Sequence, residues 1–329
     1  MLDGMALAYR AYFSFISRPL INSKGENTSA IFGFVNTLMK ILEERPEHIA
    51  VVFDTREPTF RHVMYQPYKA TRQKMPEDMA GQMELLKEVV GAFNVPCLEL
   101  PGFEADDIMG TLARRAEREG IDTYLVTGDK DFMQLISPRI KMYRPGKRGD
   151  EWEILDQQAV KEKFGVAPEM VTDVLGLIGD KSDNVPGVSG IGEKTAIPLV
   201  QKYGSIEEIL AHLGRIPQQG VKQKLTEHRE AALLSKRLVT IDTAVPIDAD
   251  IHQLVAKPLN REELTRLFTR LEFRSLVRKI SESPPLQAAA EEAPPVPAAP
   301  PASSDITTDE HRYHLVTTEK EFLKLVKRL

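Results

Sequence analysis

The segment DTYLVTGDKD, residues 122–131, places two carboxylates directly after a short apolar run. Such a run, bounded by polar residues and glycine, is typical of a buried β-strand. The segment HIAVVFD, residues 48–54, has the same pattern and ends on Asp54. Amphipathic segments with helical spacing, at residues 77–93 and 104–119, alternate with these strands. This alternation predicts an α/β fold with a mostly parallel central sheet flanked by helices, in which ligands bind at the carboxyl ends of the strands.

The chain changes character near residue 180. Beyond it, strand signals fade, and short helical segments punctuated by glycine and proline follow at residues 185–203 and 220–239. Between Ser283 and Ser304 there are seven prolines and seven alanines, a composition that cannot bury a core. We therefore predict an α/β domain at residues 1–180, a smaller helical lobe at 181–282, an Ala/Pro-rich linker at 283–306 and the incomplete start of another domain at 307–329.

Composition narrows the class of protein. Hydrophobic residues make up 42% of the 329 residues, which fits a globular protein. No apolar run reaches the roughly 18 residues of a membrane span, and the start lacks the pattern of a secretion signal. The single Cys97 excludes an internal disulfide and a multi-cysteine zinc site, so a cytoplasmic location is expected.

Any contact with nucleic acid has to use local basic surfaces, because the formal net charge is −5. Residues 56–74 contain five Lys or Arg against one acid, and residues 194–237 contain eight against four. Taken alone, each stretch fits an ordinary solvated helix face better than a binding surface.

Nine acidic residues fall into five short groups at predicted strand ends, helix starts and tight turns: Asp3; Asp54; Glu104, Asp106 and Asp107; Asp129 and Asp131; Asp180 and Asp183. Each acid alone is explained by a helix cap or an exposed position. Convergence of all of them would need bound cations or protonation, because like charges repel. Oxygen ligands without Cys or His select Mg²⁺ or Mn²⁺ rather than zinc. Two such ions about 3.5–4 Å apart serve phosphodiester hydrolysis.

The segment at residues 187–203 has the pattern of a glycine-rich hairpin joining two helices. Backbone amides at the start of a helix can hold a phosphate. The alternative is a plain helical hairpin packed in a core. If the hairpin binds phosphates, it positions a duplex without reading its sequence.

Seven ordered motifs across residues 2–280 resemble the 5′-3′ exonuclease (flap endonuclease-like) domains of bacterial DNA polymerase I. They are LDG at 2–4, AYRAYF at 8–13, VVFD at 51–54, TFRH with YKATR at 59–72, FEADD at 103–107, TGDKD at 127–131 and GDKSDNVPGVSGIGEKTA at 179–196. The resemblance implies a PIN-like 5′ nuclease fold and a helical lobe with a helix-hairpin-helix. It implies a metal-dependent enzyme that cuts phosphodiester bonds at the 5′ end of flapped or nicked duplex DNA.

The same resemblance implies roles for residues at matching positions. Ligands of a first metal ion would be Asp3, Asp54, Glu104 and Asp106; ligands nearer a second ion would be Asp129, Asp131 and Asp183, with Asp107 and Asp180 as further acids of the motifs. Lys69 and Arg72 would lie in a helical gateway for a single-stranded 5′ end and act in catalysis with Asp129 and Asp131. DNA contacts are expected from Arg61, Tyr68, Lys69, Arg72, Gly187, Val188, Gly190, Ile191, Gly192, Lys194 and Thr195. A K⁺ ion is expected at the carbonyls of Gly187, Val188 and Ile191.

The chain also departs from its relatives. Only Met1 and Leu2 precede Asp3, where relatives carry several residues of a central strand, so we expect Asp3 to be held less firmly. Met5 replaces a frequent asparagine, and Pro198 is expected to kink the second hairpin helix.

Residues 313–329 resemble the opening strand and helix of the proofreading-like domain that follows in DNA polymerase I. We therefore expect the chain to be linked to a polymerase region. A monomer is expected as well. Two alternatives stay open: a catalytically weakened DNA-binding module of a polymerase, and a metal-dependent phosphatase or ribonuclease on a related α/β fold.

Overall fold

The computed structural model describes residues 1–146 and 152–282. Within them, the strands of one sheet are β1 (Leu2–Asp3), β2 (Val51–Val52), β3 (Cys97–Leu98), β4 (Thr123–Val126), β5 (Ile140–Pro145) and β6 (Trp152–Leu155). Their order is β3-β2-β1-β4-β5-β6, and every neighbouring pair is parallel except β5 and β6. The predicted α/β fold class is thus confirmed. The predicted linker and the segment after it lie outside the described residues.

The helices that flank and extend this sheet are α1 (Gly4–Ser14), α2 (Ser29–Glu43), α3 (Phe60–Met64), α4 (Glu77–Ala80), α5 (Met83–Ala92), α6 (Ala105–Arg118), α7 (Gln157–Phe164), α8 (Val171–Ile178), α9 (Glu193–Tyr203), α10 (Ile206–Ala211), α11 (Gln219–Glu227), α12 (Arg229–Val239), α13 (Arg261–Arg270) and α14 (Arg274–Glu282). A 3-10 helix at Lys130–Leu135 follows β4. No helix in the described part of the chain is long and apolar enough to cross a membrane.

Two predicted elements are shorter than the sequence pattern suggests. The predicted helix at residues 77–93 is interrupted before α5, where the side chain of Gln82 accepts a hydrogen bond from the Ala30 amide at 3.1 Å. The predicted strand at residues 48–54 is reduced to β2 at its centre, and the Ile49 amide before β2 bonds to the Leu254 carbonyl at 2.8 Å. In both places the chain also bonds to a partner distant in sequence.

The position of β1 determines where a ligand can bind. β2 and β3 lie on one side of β1, and β4 and β5 lie on the other. The carboxyl ends of β1 and β4 therefore flank a crevice at the point where the strand order reverses, which is the usual ligand site of such sheets. Gly4 allows α1 to start there, since a Cβ on it would overlap the ring of Phe53.

The packing of the helices differs from the predicted domain limits. α13 and α14 pack on the sheet side, where the rings of Phe93 and Phe268 lie 6.2 Å apart and Ile280 joins the same core. α7 and α8 instead pack with α9 to α12, through buried residues such as Val160 and Val174. The apolar faces of these helices decide this arrangement, and sequence order does not reveal it.

β6 closes the sheet at the edge away from β3. It runs antiparallel to β5, with Trp152 paired to Pro145 and Leu155 paired to Met142. The ring of Trp152, the only tryptophan in the sequence, lies 4.7 Å from the ring of Tyr143, centroid to centroid. The ammonium group of Lys40 lies 5.3 Å from the Trp152 ring centre.

Candidate active site

Two aspartates mark the carboxyl ends of adjacent parallel strands. Asp3 ends β1 and accepts hydrogen bonds from the Ala6 amide and the Thr127 hydroxyl, both at 2.9 Å. Asp54 follows β2 and accepts the Ala105 amide at 2.9 Å. Because β1 is hydrogen-bonded to strands on both sides, Asp3 is held firmly, and the expected weakening of its position is not found.

The start of α6 brings further acids to the same crevice. The carboxylates of Glu104 and Asp107 accept each other's backbone amides in a capping box. The partial positive charge at the start of the helix favours acids in this first turn. Burial raises the pKa of Asp106 well above its usual value, and the charges of Asp129 and Asp3 raise it further.

Asp129 and Asp131 follow β4 into the 3-10 helix. Asp129 accepts the Asp131 amide at 2.9 Å and so caps this helix. Asp131 Oδ1 is buried, and within the described residues it has no hydrogen-bond partner. A buried carboxylate oxygen without a partner destabilises the fold unless a cation or a proton satisfies it.

The pKa values show that these acids share one electrostatic environment. Burial, together with the charges of Asp54 and Asp129, raises the pKa of Asp3 to about 7. Burial raises the pKa of Asp131 to about 8, with contributions from Asp129 and Asp183. Acids from distant parts of the chain therefore lie close together. This group, here called the acidic pocket, consists of Asp3, Asp54, Glu104, Asp106, Asp129, Asp131 and Asp183.

Two basic side chains lie among the acids. Lys69 Nζ lies 2.6 Å from Glu104 Oε1 and 3.8 Å from Asp183 Oδ2. Arg72 Nε donates to Asp183 Oδ1 at 2.9 Å, and its side chain is 50% exposed at the mouth of the pocket. Lys69 has a φ of 55°, in the left-handed region that residues with a Cβ rarely adopt. Such strain is typical of functional sites.

Asp180 differs from Asp131 because its carboxylate is satisfied. Lys130 Nζ pairs with Asp180 Oδ2 at 2.7 Å, and the Ser182 amide donates to Oδ1 at 2.7 Å. Burial raises the pKa of Asp180, but the hydrogen bonds from Lys130 and Ser182 lower it more, so the net pKa lies below its usual value. Asp180 therefore borders the pocket as an ion-paired residue.

The donor set of the pocket fits a hard divalent cation. It offers carboxylate oxygens, and one of them, Asp131 Oδ1, is buried and has no hydrogen-bond partner among the residues that the structure describes. Across residues 1–146 and 152–282, however, no three Asp, Glu, His or Cys side chains are already grouped closely enough to hold an ion. The ammonium group of Lys69 pairs with Glu104, and the guanidinium group of Arg72 pairs with Asp183. A cation that binds here has to compete with these ion pairs.

Three of the predicted site residues lie behind the pocket. Arg61, predicted to contact DNA, is 2% exposed and donates to both carboxylate oxygens of Asp107, at 2.7 and 2.8 Å. Asp107, predicted as a metal ligand, is 0% exposed, and both of its carboxylate oxygens accept hydrogen bonds from the Arg61 guanidinium group. Tyr68, also predicted to contact DNA, is 4% exposed and donates to Glu104 Oε2 at 3.1 Å. The three assignments are corrected, because these polar groups are used internally and support the acids from behind.

The hairpin between α8 and α9 is partly built into the core. The Gly187 amide donates to the hydroxyl of the buried Ser235 at 2.8 Å, and the side chains of Val188 and Ile191 are buried. Gly187 has a φ of 62°, and a Cβ on it would collide with the backbone of Ile178, so only glycine fits this close approach.

The other predicted hairpin residues lie at or near the surface, at the start of α9. Gly190, Gly192 and Lys194 are exposed and Thr195 is half-buried. Lys224 Nζ donates to the Gly190 carbonyl at 3.0 Å and adds a positive charge. α9 continues through Pro198 as one helix from Glu193 to Tyr203. The start of a helix with nearby cations can accommodate a phosphate.

Some residues that shape the site were not singled out from the sequence. Thr127 and Lys130 lie inside the TGDKD motif, so a signal was present, although only the acids of that motif were selected. Gln134 and Ser235 gave no local signal, because their partners Val239 and Gly187 lie 105 and 48 positions away in the chain.

Comparisons with protein families cover most of this chain. Residues 1–165 match the model of the 5′-3′ exonuclease N-terminal resolvase-like domain, and residues 166–262 match that of the 5′-3′ exonuclease C-terminal SAM fold. The chain belongs to the 5′-3′ exonuclease family. The DNA polymerase I of Bacillus caldotenax is 43% identical to this exonuclease-family chain over 286 residues, which are 86% of the chain and 32% of the relative. The chain thus spans about a third of the length of that relative.

Solved structures share the fold of this 5′-3′ exonuclease family member. The bacteriophage T5 5′-exonuclease with divalent metal ions (zinc) bound has a TM-score of 0.61 at 19% identity, covering 85% of this chain and 98% of that one. The catalytic core of Rad2 in complex with DNA substrate has a TM-score of 0.56 at 16% identity, covering 84% and 90%. At these identities the likeness establishes the fold.

Proposed function

We propose that this chain is a structure-specific 5′ nuclease that hydrolyses phosphodiester bonds near the 5′ end of flapped or nicked duplex DNA, as in primer and flap removal. The observation that carries the proposal is the acidic pocket, in which several acids have a raised pKa and Asp131 Oδ1 is buried with no hydrogen-bond partner in the described part of the chain. Divalent cations relieve such repulsion and serve phosphoryl chemistry. Membership of the 5′-3′ exonuclease family supports the same reaction.

Two Mg²⁺ or Mn²⁺ ions are the cofactors that suit this donor set. We assign Asp3, Asp54, Glu104 and Asp106 to one ion and Asp129, Asp131 and Asp183 to the other, with Asp180 at the border. When bound, the pair of ions activates a water and stabilises the leaving oxygen of the phosphodiester. A divalent site is supported by the T5 5′-exonuclease of the same fold, which binds zinc.

Lys69 and Arg72 are proposed to contact the scissile phosphate. Both already lie within hydrogen-bonding distance of acids of the pocket, and Arg72 is half exposed at its mouth. A cation at this position stabilises the negative charge that develops on the phosphoryl oxygens during cleavage. The left-handed backbone at Lys69 directs its ammonium into the pocket.

The hairpin is proposed to hold the duplex through phosphates, with the exposed residues Gly190, Gly192 and Lys194 and the half-buried Thr195 as its contact surface. Carbonyls of Gly187, Val188 and Ile191 are the proposed ligands of a K⁺ ion. Contacts of this kind do not read bases, so the substrate is recognised by its shape. Rad2, which shares the fold, is in complex with DNA.

A polymerase region is the proposed partner, because the DNA polymerase I relative is about three times as long as the matched segment. We propose that the protein acts as a monomer and meets its DNA in the cytoplasm.

Cleavage of a 5′-end-labelled flap duplex in Mg²⁺ tests the function. We compare Asp129→Asn with Asp122→Asn, because Asp122 lies at the other end of β4, where it pairs with Arg139 at 2.8 Å on the surface. The wild type and Asp122→Asn should cleave alike. Asp129→Asn should lose more than the ~10–100-fold typical of an outer partner of a metal site.

Equal rates for Asp129→Asn and the wild type would contradict the proposal. Tight binding of flap DNA without cleavage by the wild type would favour the DNA-binding module. Preferred hydrolysis of single-stranded RNA or of a phosphomonoester would favour the ribonuclease or phosphatase alternative.

A further inference from the structure

The segment from Ser235 to Ile241, here called the α12 brace, is attached at its first end to the hairpin. The Ser235 hydroxyl accepts the Gly187 amide at 2.8 Å. Lys236 Nζ pairs with Asp173 on α8 at 2.6 Å, and a Cβ on Gly176 of α8 would lie 2.9 Å from Lys236 Cα. The brace therefore packs closely against the helix that leads into the hairpin.

The other end of the α12 brace is attached to the start of α6 by Arg61. Its Nε donates to the Leu238 carbonyl and its Nη2 to the Thr240 carbonyl, both at 2.8 Å. The same guanidinium holds both carboxylate oxygens of Asp107, in the first turn of α6. A cation at the end of a helix is favourable, and the planar guanidinium fixes the angle between the groups that it joins. Arg61 thus ties the brace to the helix that begins next to Glu104.

Gln134 attaches the same end of the brace to the other half of the pocket. Its Nε2 donates to the Val239 carbonyl and to the Asp131 carbonyl, each at 2.9 Å. Its Oε1 accepts the Ile241 amide at 2.9 Å. All of these bonds are in the interior, because the Gln134 side chain is 8% exposed. Gln134 therefore fixes the position of the Asp131 backbone relative to the brace.

We propose that the α12 brace sets which phosphodiester bond of a held duplex lies in the acidic pocket, with Arg61 and Gln134 as positioning residues. The inference rests on the proposed function and adds to it how the cutting position is selected. The hairpin holds the duplex at one end of the brace, and the acids cut at the other. The backbone of the brace sets the separation between its two ends, and Arg61 and Gln134 fix the second end to the acids.

Magnitudes support this role for the brace. Successive nucleotides of a strand lie about 3.4 Å apart along the duplex axis. Hydrogen bonds weaken within a few tenths of an ångström of their optimum of about 2.9 Å. The bonds of Arg61 and Gln134 to the brace are 2.8–2.9 Å long, so they hold the acids in place relative to the second end of the brace to within a small fraction of a nucleotide.

The lengths of the cleavage products, resolved to single nucleotides, test the inference. The substrate is a 5′-end-labelled flap duplex in Mg²⁺, and the variants are Gln134→Met, Ser235→Ala and Arg61→Lys. The share of cuts at neighbouring bonds should rise about threefold or more in each, as expected for the loss of one hydrogen bond. The affinity for the flap duplex, measured in Ca²⁺ without cleavage, should stay within about twofold. If these three residues affected only stability, their substitution would slow cleavage at every bond by the same factor.

Phe268→Leu is the matched control, because Phe268 is fully buried in the core on the α13 side, away from the brace. It should lower the melting temperature and leave the product lengths unchanged. Unchanged product lengths in Gln134→Met and Ser235→Ala, with cleavage retained, would overturn the inference and leave the proposed function standing. A wild type that does not cut flap DNA would overturn both.

Discussion

The ammonium group of Lys69 lies 2.6 Å from Glu104 Oε1, and the Lys69 amide donates to the Asp183 carbonyl at 2.9 Å. One residue therefore joins α6 to the loop after α8 through its side chain and its backbone. The φ of 55° at Lys69 shows that the surrounding contacts outweigh the local preference of the backbone.

Lys69→Met removes the charge at this position and keeps most of the length of the side chain. We expect kcat on flap DNA in Mg²⁺ to fall about 10²–10³-fold, because a fixed positive group beside developing negative charge contributes on that order. Lys279→Met is the control: Lys279 also pairs with a glutamate, Glu43 at 3.0 Å, but on the surface of α14. Steady-state kinetics in which Lys69→Met changes only KM would contradict this role.

The metal-free protein should become less stable as the pH rises. The pKa values of Asp3 and Asp131, about 7 and 8 when folded, lie above the ordinary value of 3.8. The folded state then binds more protons between about pH 4 and 8, so the free energy of unfolding falls as the pH rises through this window. Calorimetry in EDTA should show a falling melting temperature, and Mg²⁺ should restore most of the loss near pH 8. A melting temperature that rises with pH over this range would contradict the raised pKa values.

Asp131→Asn should stabilise the metal-free protein, because it removes a buried charge whose Oδ1 has no partner. We expect the melting temperature near pH 8 to rise by a few degrees, which corresponds to about 1 kcal/mol for a domain of this size. The same variant should weaken Mg²⁺ binding by about tenfold or more in titration calorimetry, as expected for a lost metal ligand. Unchanged Mg²⁺ affinity would remove Asp131 from the metal site.

Asp107→Asn, in contrast to Asp131→Asn, should lower the stability of the protein and leave its Mg²⁺ affinity nearly unchanged. It leaves the buried guanidinium of Arg61 without its carboxylate partner, and breaking a buried ion pair in this way costs about 3–5 kcal/mol. Chemical denaturation measures this loss. Mg²⁺ affinity should stay within about threefold in the folded variant, because both carboxylate oxygens of Asp107 are engaged elsewhere. Loss of Mg²⁺ binding without loss of stability would restore Asp107 as a ligand.

Gly4→Ala should destabilise the fold by about 1–3 kcal/mol, the usual cost of overpacking, since the added methyl group overlaps the ring of Phe53. Gly91→Ala is the matched control, because a Cβ at that position in α5 meets nothing within 4 Å. That change should be neutral or stabilising by up to about 1 kcal/mol. Equal effects of the two substitutions in thermal unfolding would exclude the steric explanation.

The parts of the fold that depend on local pattern could be predicted from the sequence. The apolar run before Asp129 became β4, and the predicted helix at residues 104–119 became α6 with Glu104 as its cap. Parallel strands end at a common edge, so acids at the ends of several strands meet there. This is why the gathering of carboxylates could be anticipated without a structure.

The parts that depend on tertiary pairing could not be predicted. Arg61 has the residue type of a DNA contact, but Asp107, 46 positions away, buries it in an ion pair. The α13 helix lies within the predicted helical lobe at residues 181–282, yet its apolar face packs beside the sheet at Phe93. Burial of a charge, or of one helix face, is decided by which partner the folded chain brings near, and no local spacing encodes it.

The lone Trp152 on β6, whose ring is tilted against that of Tyr143 at the edge of the sheet away from β3, supplies an intrinsic fluorescent reporter. Its emission follows the opening of this edge, and substitutions in the acidic pocket leave the chromophore itself unaltered. Unfolding traces recorded by fluorescence can therefore be compared directly across the variants above, without an introduced dye. Where fluorescence and calorimetry diverge for one variant, the two edges of the sheet open in separate steps.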